Sequence, residues 1–196
     1  MRELQAARGT SVAERATGRS RGRSRLLWLF LAVMLLGLAT DLATKTIVVS
    51  RLDPQEPVRL VGGLVTLRLI RNAGAAFSQG ERFTYVFAIT AILVLSFVTI
   101  RLVPRLGHAG WAVALGLLCA GVTGNLMDRL FRSPAVLRGH VVDFIQLPYF
   151  AIFNVADMCI TASAVLIIIL SVIKGVGIDG ERPGRKSSAE RAKGSS

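Results

Sequence analysis

Four long apolar runs, at 26–49, 84–103, 110–127 and 151–173, set the pattern of this chain, and basic or turn-forming residues break each of them off. A helix crossing the hydrocarbon core of a bilayer needs roughly 20 apolar residues at 1.5 Å rise. The pattern therefore predicts four membrane-crossing helices. The first run is not a cleavable leader: it continues through Asp41 and Lys45, and no A-x-A site follows it. Between the first and second runs, "VRLVGGLVTLRLI" (58–70) holds two β-prone stretches that meet at Gly62-Gly63, a hairpin signal. The expected fold class is an all-α membrane protein with four transmembrane helices and a small outward-facing β-rich cradle.

Charge gives the helices a direction. Apolar residues make up 52% of the chain and the mean hydropathy is +0.54, yet the formal net charge is +12. Residues 1–26 hold seven Arg against two Glu, and residues 174–196 hold six Lys or Arg against three acids. The positive-inside tendency places both basic ends, and the short "RLVPRLGH" loop at 101–108, in the cytoplasm. Residues 50–83, the β-rich region, and 128–150, a loop, then face outward. Three segments follow: a disordered tail at 1–25, a four-span unit at 26–175, and a second disordered tail at 176–196. The tails lack interleaved aromatics, so topology explains their charge and no nucleic-acid partner is expected. Cys119 and Cys159 fall inside apolar runs and read as small buried side chains, without a disulfide framework or metal spacing.

Polar side chains inside spans are costly, so each needs a reason. Asp41 lies roughly 22 Å up the first helix from Leu26; Asn125 and Asp128 lie roughly 22–27 Å up the third from Gly110. Asn154 and Asp157 lie roughly 24–29 Å up the fourth, counted from Ile173. Three helices thus carry carboxylates and amides in one slab near the outer interface. Within it, Asn125, Asp128 and Arg129 stand at i, i+3 and i+4, as Asn154 and Asp157 stand at i and i+3. Asp41 and Lys45, at i and i+4, can satisfy each other, so helix packing and interfacial ion pairing compete with function for these groups. Asp157 has no basic residue within a helical turn to neutralise it. Asp143, in "GHVVDFIQL", is an isolated acid among apolar neighbours, and with Asp157 it can form a two-carboxylate site of the kind that activates water. His108 reads as a loop residue and His140 as a surface one.

Five stretches carry a resemblance: "DLATK" at 41–45, "NAGAAFS" at 72–78, "GNLMDR" at 124–129, "VVDF" at 141–144 and "FNVAD" at 153–157. In this order, with four spans among them, the chain resembles the lipoprotein signal peptidases (signal peptidase II, the aspartic prolipoprotein-processing enzymes) over about residues 26–175. The resemblance implies four transmembrane helices, a β-cradle and a short amphipathic segment over the site. It implies that Asp143 and Asp157 are the catalytic pair, and that Asn125, Arg129 and Asn154 position the peptide and the pair. Asp41 and Asn72 would support substrate contacts, with Lys45, Gly74 and Asp128 in supporting roles. Asp128 would order Arg129 and the helix end rather than do chemistry. Small residues in "NAGAAFS" would let the backbone approach a bound peptide.

The implied substrate is a prolipoprotein carrying diacylglycerol on the cysteine that becomes the new N-terminus, cut just before that cysteine. No cofactor and no metal are expected. The other expected partner is membrane lipid, and a monomer in the bacterial cytoplasmic membrane is expected. The 14 residues from Asp143 to Asp157 read as a short connection, which leaves the lid's shape open. The alternative from another class is an ion-coupled transporter using the intramembrane carboxylates, although no internal repeat is visible.

Overall fold

Each apolar run folds as a helix in the computed structural model, which describes residues 2–74 and 84–181, with side chains from Gly22 onward. Helix α1 spans Arg2–Arg51, α2 spans Thr84–Phe97, α3 spans Ala109–Phe131 and α4 spans Val155–Ile168. Wider turns at Val98–Leu102 and Ile169–Ile173 prolong α2 and α4. Four segments are long and apolar enough to cross a membrane: Gly22–Arg51, Thr84–Arg105, Ala109–Phe131 and Val155–Ile173. These match the four runs in the sequence to within a few residues.

Helix α3 lies at the centre. Half of its crossing window is buried, against 11–17% for the other three. Its composition explains this: Ala112, Ala114, Gly116, Cys119, Ala120, Gly121 and Gly124 are small and buried, and they let neighbours approach closely on more than one side. Gly121 faces the Ala156 carbonyl and Ile160 of α4, and Gly124 faces the Asp41 carboxylate of α1. Cys119 and Cys159 are both buried and free, consistent with packing.

The Gly62-Gly63 hairpin forms. Strands β1 (Val58–Leu60) and β2 (Val65–Asn72) pair antiparallel, Arg59 opposite Thr66, through a tight turn at Val61–Gly63 where both glycines have positive φ. A third strand, β3 (Val141–Gln146), pairs antiparallel with β2 and completes the sheet. Within the 128–150 stretch, expected as loop, this strand was not foreseen. Six apolar-rich residues are too short to declare a period, and the partner lies some 70 positions away. Val48 of α1 packs with Leu69, Val142 and Phe144, which fixes the sheet on the end of the first span.

Two further differences concern ends. The backbone of residues 2–25, composed like a disordered tail, continues α1 as helix; extending an existing helix needs no new nucleus, and Ala, Arg, Glu, Leu and Gln propagate it well. Residues 182–196 and 75–83, the latter including most of "NAGAAFS", lie outside the described residues. His108 is more than a loop residue: it is the N-cap of α3, its Nδ1 accepting from the Gly110 N–H at 3.1 Å.

The packing predicts a specific sensitivity. A Cβ on Gly121 would overlap the Ala156 carbonyl oxygen, so Gly121→Ala should force α3 and α4 apart and destabilise by about 1–3 kcal/mol. Gly22→Ala, with nothing near its Cβ, should be neutral. Thermal unfolding of both variants in detergent checks this, and equal melting temperatures would rule out close α3–α4 contact.

Candidate active site

Asp143 and Asn72 meet because of the sheet register. Ile70 stands opposite Asp143 and Asn72 opposite Val141, so Asn72 and Asp143 are diagonal neighbours on one face. Asn72 Nδ2 donates to Asp143 Oδ2 at 2.8 Å, and its Oδ1 accepts from the Gly74 N–H at 2.8 Å. That second bond closes a turn in which Gly74 has φ 95° and packs against the Phe87 ring. Phe87 also lies beneath the Arg129 guanidinium, 5.6 Å from ring centroid to Cζ.

Asp157 is placed by the first turn of α4. Asn154 is the N-cap: its Oδ1 accepts from Asp157 N–H at 3.0 Å, and Asp157 Oδ2 accepts from Asn154 N–H at 3.1 Å, a reciprocal capping box. The same Asn154 reaches the sheet, donating from Nδ2 to Asp143 Oδ1 at 2.7 Å. It also donates to Asn125 Oδ1 at 3.1 Å, while Asn125 Nδ2 donates to Asp157 Oδ1 at 2.8 Å. Two carboxylates from separate elements are therefore held by three amide side chains.

The other two clustered acids are held differently. Lys45 Nζ lies 2.8 Å from Asp41 Oδ2 and 2.9 Å from Asp128 Oδ2, and it donates to Asn125 Oδ1 at 3.1 Å. Lys45 and Asp41 have no exposed surface. Asp41 Oδ1 accepts from the Ala156 N–H at 2.8 Å, so Asp41 serves the start of α4. Asp128 pairs also with Arg132 Nε, and its Oδ2 accepts from the Val142 N–H at 3.2 Å, tying α3 to β3. The expectation that Asp128 orders Arg129 is thus corrected. The pair forms at i, i+4 with Arg132, whose side chain points back along the same helix face, whereas i and i+1 diverge. Arg129 donates from Nη1 to the Asn125 carbonyl at 3.1 Å, and its buried Nε has no hydrogen-bond partner among the described residues.

Among the described residues, no ion pair includes Asp143 or Asp157. Burial lifts the Asp143 carboxyl to about 6, opposed by the Asn72 hydrogen bond and reinforced by the charge of Asp157. The connection between Asp143 and Asp157 is short because it is stapled: Phe153 pairs with Ile145 in both directions, at 3.0 and 2.9 Å. Only 147–152 project, with Tyr149 and Phe150 exposed. His140 joins none of this.

The profile of the family described as Signal peptidase (SPase) II matches residues 33–173. The chain belongs to the signal peptidase II family. Proteins named lipoprotein signal peptidase resemble it closely. That of Streptomyces coelicolor is 46% identical over 84% of this chain and 79% of its own length. That of Mycobacterium avium is 41% identical over 86% and 91%. Two solved structures, each described as a bacterial membrane enzyme determined by the in meso method, superpose with TM-scores of 0.60 and 0.59. They are 26% and 28% identical, covering 74% and 73% of this chain and 88% and 92% of their own. All five stretches that carry the resemblance fall inside the matched region.

In this signal peptidase II, the ten residues singled out from sequence converge on one end of the bundle. Sequence reasoning did not single out Arg132, Phe87 or Gly124; only Arg132 carried a readable signal, its spacing of four from Asp128. Removing Lys45 would leave Asp41 and Asp128 buried without their shared counter-charge, so Lys45→Met should destabilise by about 3–5 kcal/mol. Adding Asp41→Asn to it should recover part of that loss. Melting curves of the two variants decide, and a Lys45→Met protein as stable as the parent would show that the three-way contact does not form.

Proposed function

We propose that the chain is an aspartic endopeptidase, with Asp143 and Asp157 as its catalytic pair. It removes the signal peptide from diacylglyceryl-modified prolipoproteins by cutting just before the lipidated cysteine. The observation that carries the assignment is the division among the four acids: Asp41 and Asp128 are neutralised by cations, while Asp143 and Asp157 touch only amide groups. The relatives' name, lipoprotein signal peptidase, supports the substrate class. No relative among these favours an ion-coupled carrier.

In the mechanism proposed, one carboxylate takes a proton from water, which attacks the scissile carbonyl. The other, protonated, polarises that carbonyl and then gives its proton to the leaving amine. Arg129, close enough to both acids to feel their charges, positions the peptide beside them. Asn125, Asn154 and Asn72 hold the pair. Both basic ends face the cytoplasm and the site lies near the outer membrane face, in keeping with basic residues clustered at the opposite end of the spans.

Amides of the same shape can neither accept nor donate that proton. Asp143→Asn and Asp157→Asn should each cut turnover of a lipid-modified peptide by orders of magnitude, and the double variant should be little worse than either. Asp128→Asn should lose mainly thermal stability. If Asp128→Asn abolished turnover at full stability while Asp143→Asn kept it, the pair would be Asp128 and Asp157.

The site also implies a pH dependence. The pair works with one proton, so kcat/KM should fall on the alkaline side as that proton is lost, with the limb at or above about 6. The Asn72 hydrogen bond favours ionised Asp143, and removing it leaves burial less opposed. Asn72→Ala should therefore move the limb to higher pH, whatever it does to the maximal rate. A limb that stays put or moves down would contradict the role given to Asp143. Stability follows the same sign: a carboxyl raised by folding makes the native state less stable as pH rises from about 4 towards 6.

A further inference from the structure

At the end of the bundle away from the carboxylates lies a groove of about 1110 Å³ between the start of the first span and the end of the second, lined by Arg23, Arg25, Leu26, Leu27, Pro104 and Arg105 among others. Its shape is built rather than incidental. Arg23 Nη2 donates to the Pro104 carbonyl at 2.9 Å and braces α1 against the α2 end. The chain after α4 folds back to form the floor: the Gly107 N–H donates to the Ile178 carbonyl at 2.9 Å, and Trp111 Nε1 donates to the Val176 carbonyl at 2.9 Å. Asp179, the acid in the lining, turns its Oδ1 to the Glu181 N–H at 3.0 Å.

Arg25 and Arg105 remain exposed, with no side-chain hydrogen bond or ion pair among the described residues. They stand where charge gives way to the apolar spans, Arg105 closing the second crossing segment and Arg25 preceding Leu26 in the first. The lining is therefore split: guanidinium groups on the water side, Leu26, Leu27 and Pro104 on the hydrocarbon side. Guanidinium forks match phosphate oxygens, and the apolar wall matches acyl chains. We propose that this groove binds the phosphodiester headgroup of an anionic glycerolipid. A zwitterionic headgroup would bring its own cation against the arginines and is disfavoured. Free phosphate has no use for the apolar wall.

The test uses the full-length protein in a neutral detergent, titrated with phosphatidylglycerol, phosphatidylcholine or inorganic phosphate while thermal unfolding is followed. Phosphatidylglycerol should raise the melting temperature saturably, and the other two should not. Replacing Arg25 and Arg105 by Gln should weaken the phosphatidylglycerol midpoint by roughly 10- to 30-fold. Replacing Arg59 and Arg68 by Gln, which removes the same charge from the sheet end, should leave it unchanged. Lipid retained by the parent protein in native mass spectrometry should show the same preference, a readout that survives if the Gln variant fails to fold. An equal shift with phosphatidylcholine, or an equal loss in both double variants, would show general lipid or charge effects and overturn the site. A matching shift with inorganic phosphate would overturn the lipid in favour of a soluble anion.

Discussion

The ammonium group of Lys45 is the constraint on which the polar interior depends. A lysine has three N–H donors and no acceptor, and a buried one must spend all three. Here the ammonium pairs with the Asp41 and Asp128 carboxylates and donates to Asn125, two elements' worth of partners gathered by one side chain. With Arg132 on the far side of Asp128, two acids face two bases, so this knot is close to charge-neutral. Neutrality matters because ions inside a bundle lose their hydration and regain it only through partners. The knot also fixes Asn125: an amide whose oxygen faces Lys45 and Asn154 must turn its nitrogen to Asp157. The ion pair thereby sets the orientation of a group that touches Asp157.

Close helix approach is what brings these partners within reach of one another. In a membrane, packing rather than water exclusion brings helices together, and small residues decide how near they come. Gly124 leaves room for the Asp41 carboxylate beside α3, and Gly121 leaves room for the Ala156 backbone of α4. Asp41 then bonds the Ala156 N–H, so α1 supplies a cap to α4 across the body of α3. One of the free N–H groups at the start of α4 is satisfied by a different helix, which ties the orientation of Asp157 to the packing of the whole bundle.

Most of the fold was legible because its signals are local. Spans follow from apolar run length, the hairpin from Gly62-Gly63, and the polar slab from 1.5 Å per residue along each helix. The i, i+4 pairing of Asp41 with Lys45 was readable for the same reason. Less legible were choices among distant partners. The sequence reading set Asp128 beside Arg129, whereas packing against β3 and Lys45 turns it to the face on which Arg132 lies. Asn72 and Asp143 are 71 positions apart, and nothing local announces that one strand edge joins them. Asn72 bonds Asp143 and the Gly74 N–H, partners that a residue-type argument does not anticipate.

Asn154 shows why structure and chemistry cannot be separated at this site. Its carbonyl oxygen caps α4, its amide nitrogen holds Asp143 and Asn125, and its own N–H holds Asp157. With every polar atom engaged, the amide cannot flip without breaking the cap, and the cap cannot shift without moving both acids. The Phe153–Ile145 bridge one residue earlier removes the remaining freedom, since it welds the approach to α4 onto β3. Asp143 is thus held from the sheet, Asp157 from the helix, and the spacing between them is set by one amide and one β-bridge. Such a ruler is short and satisfied at every atom, so it resists the thermal play that an exposed loop would allow. By contrast the 147–152 segment, which that bridge fixes at its base, carries the exposed Tyr149 and Phe150.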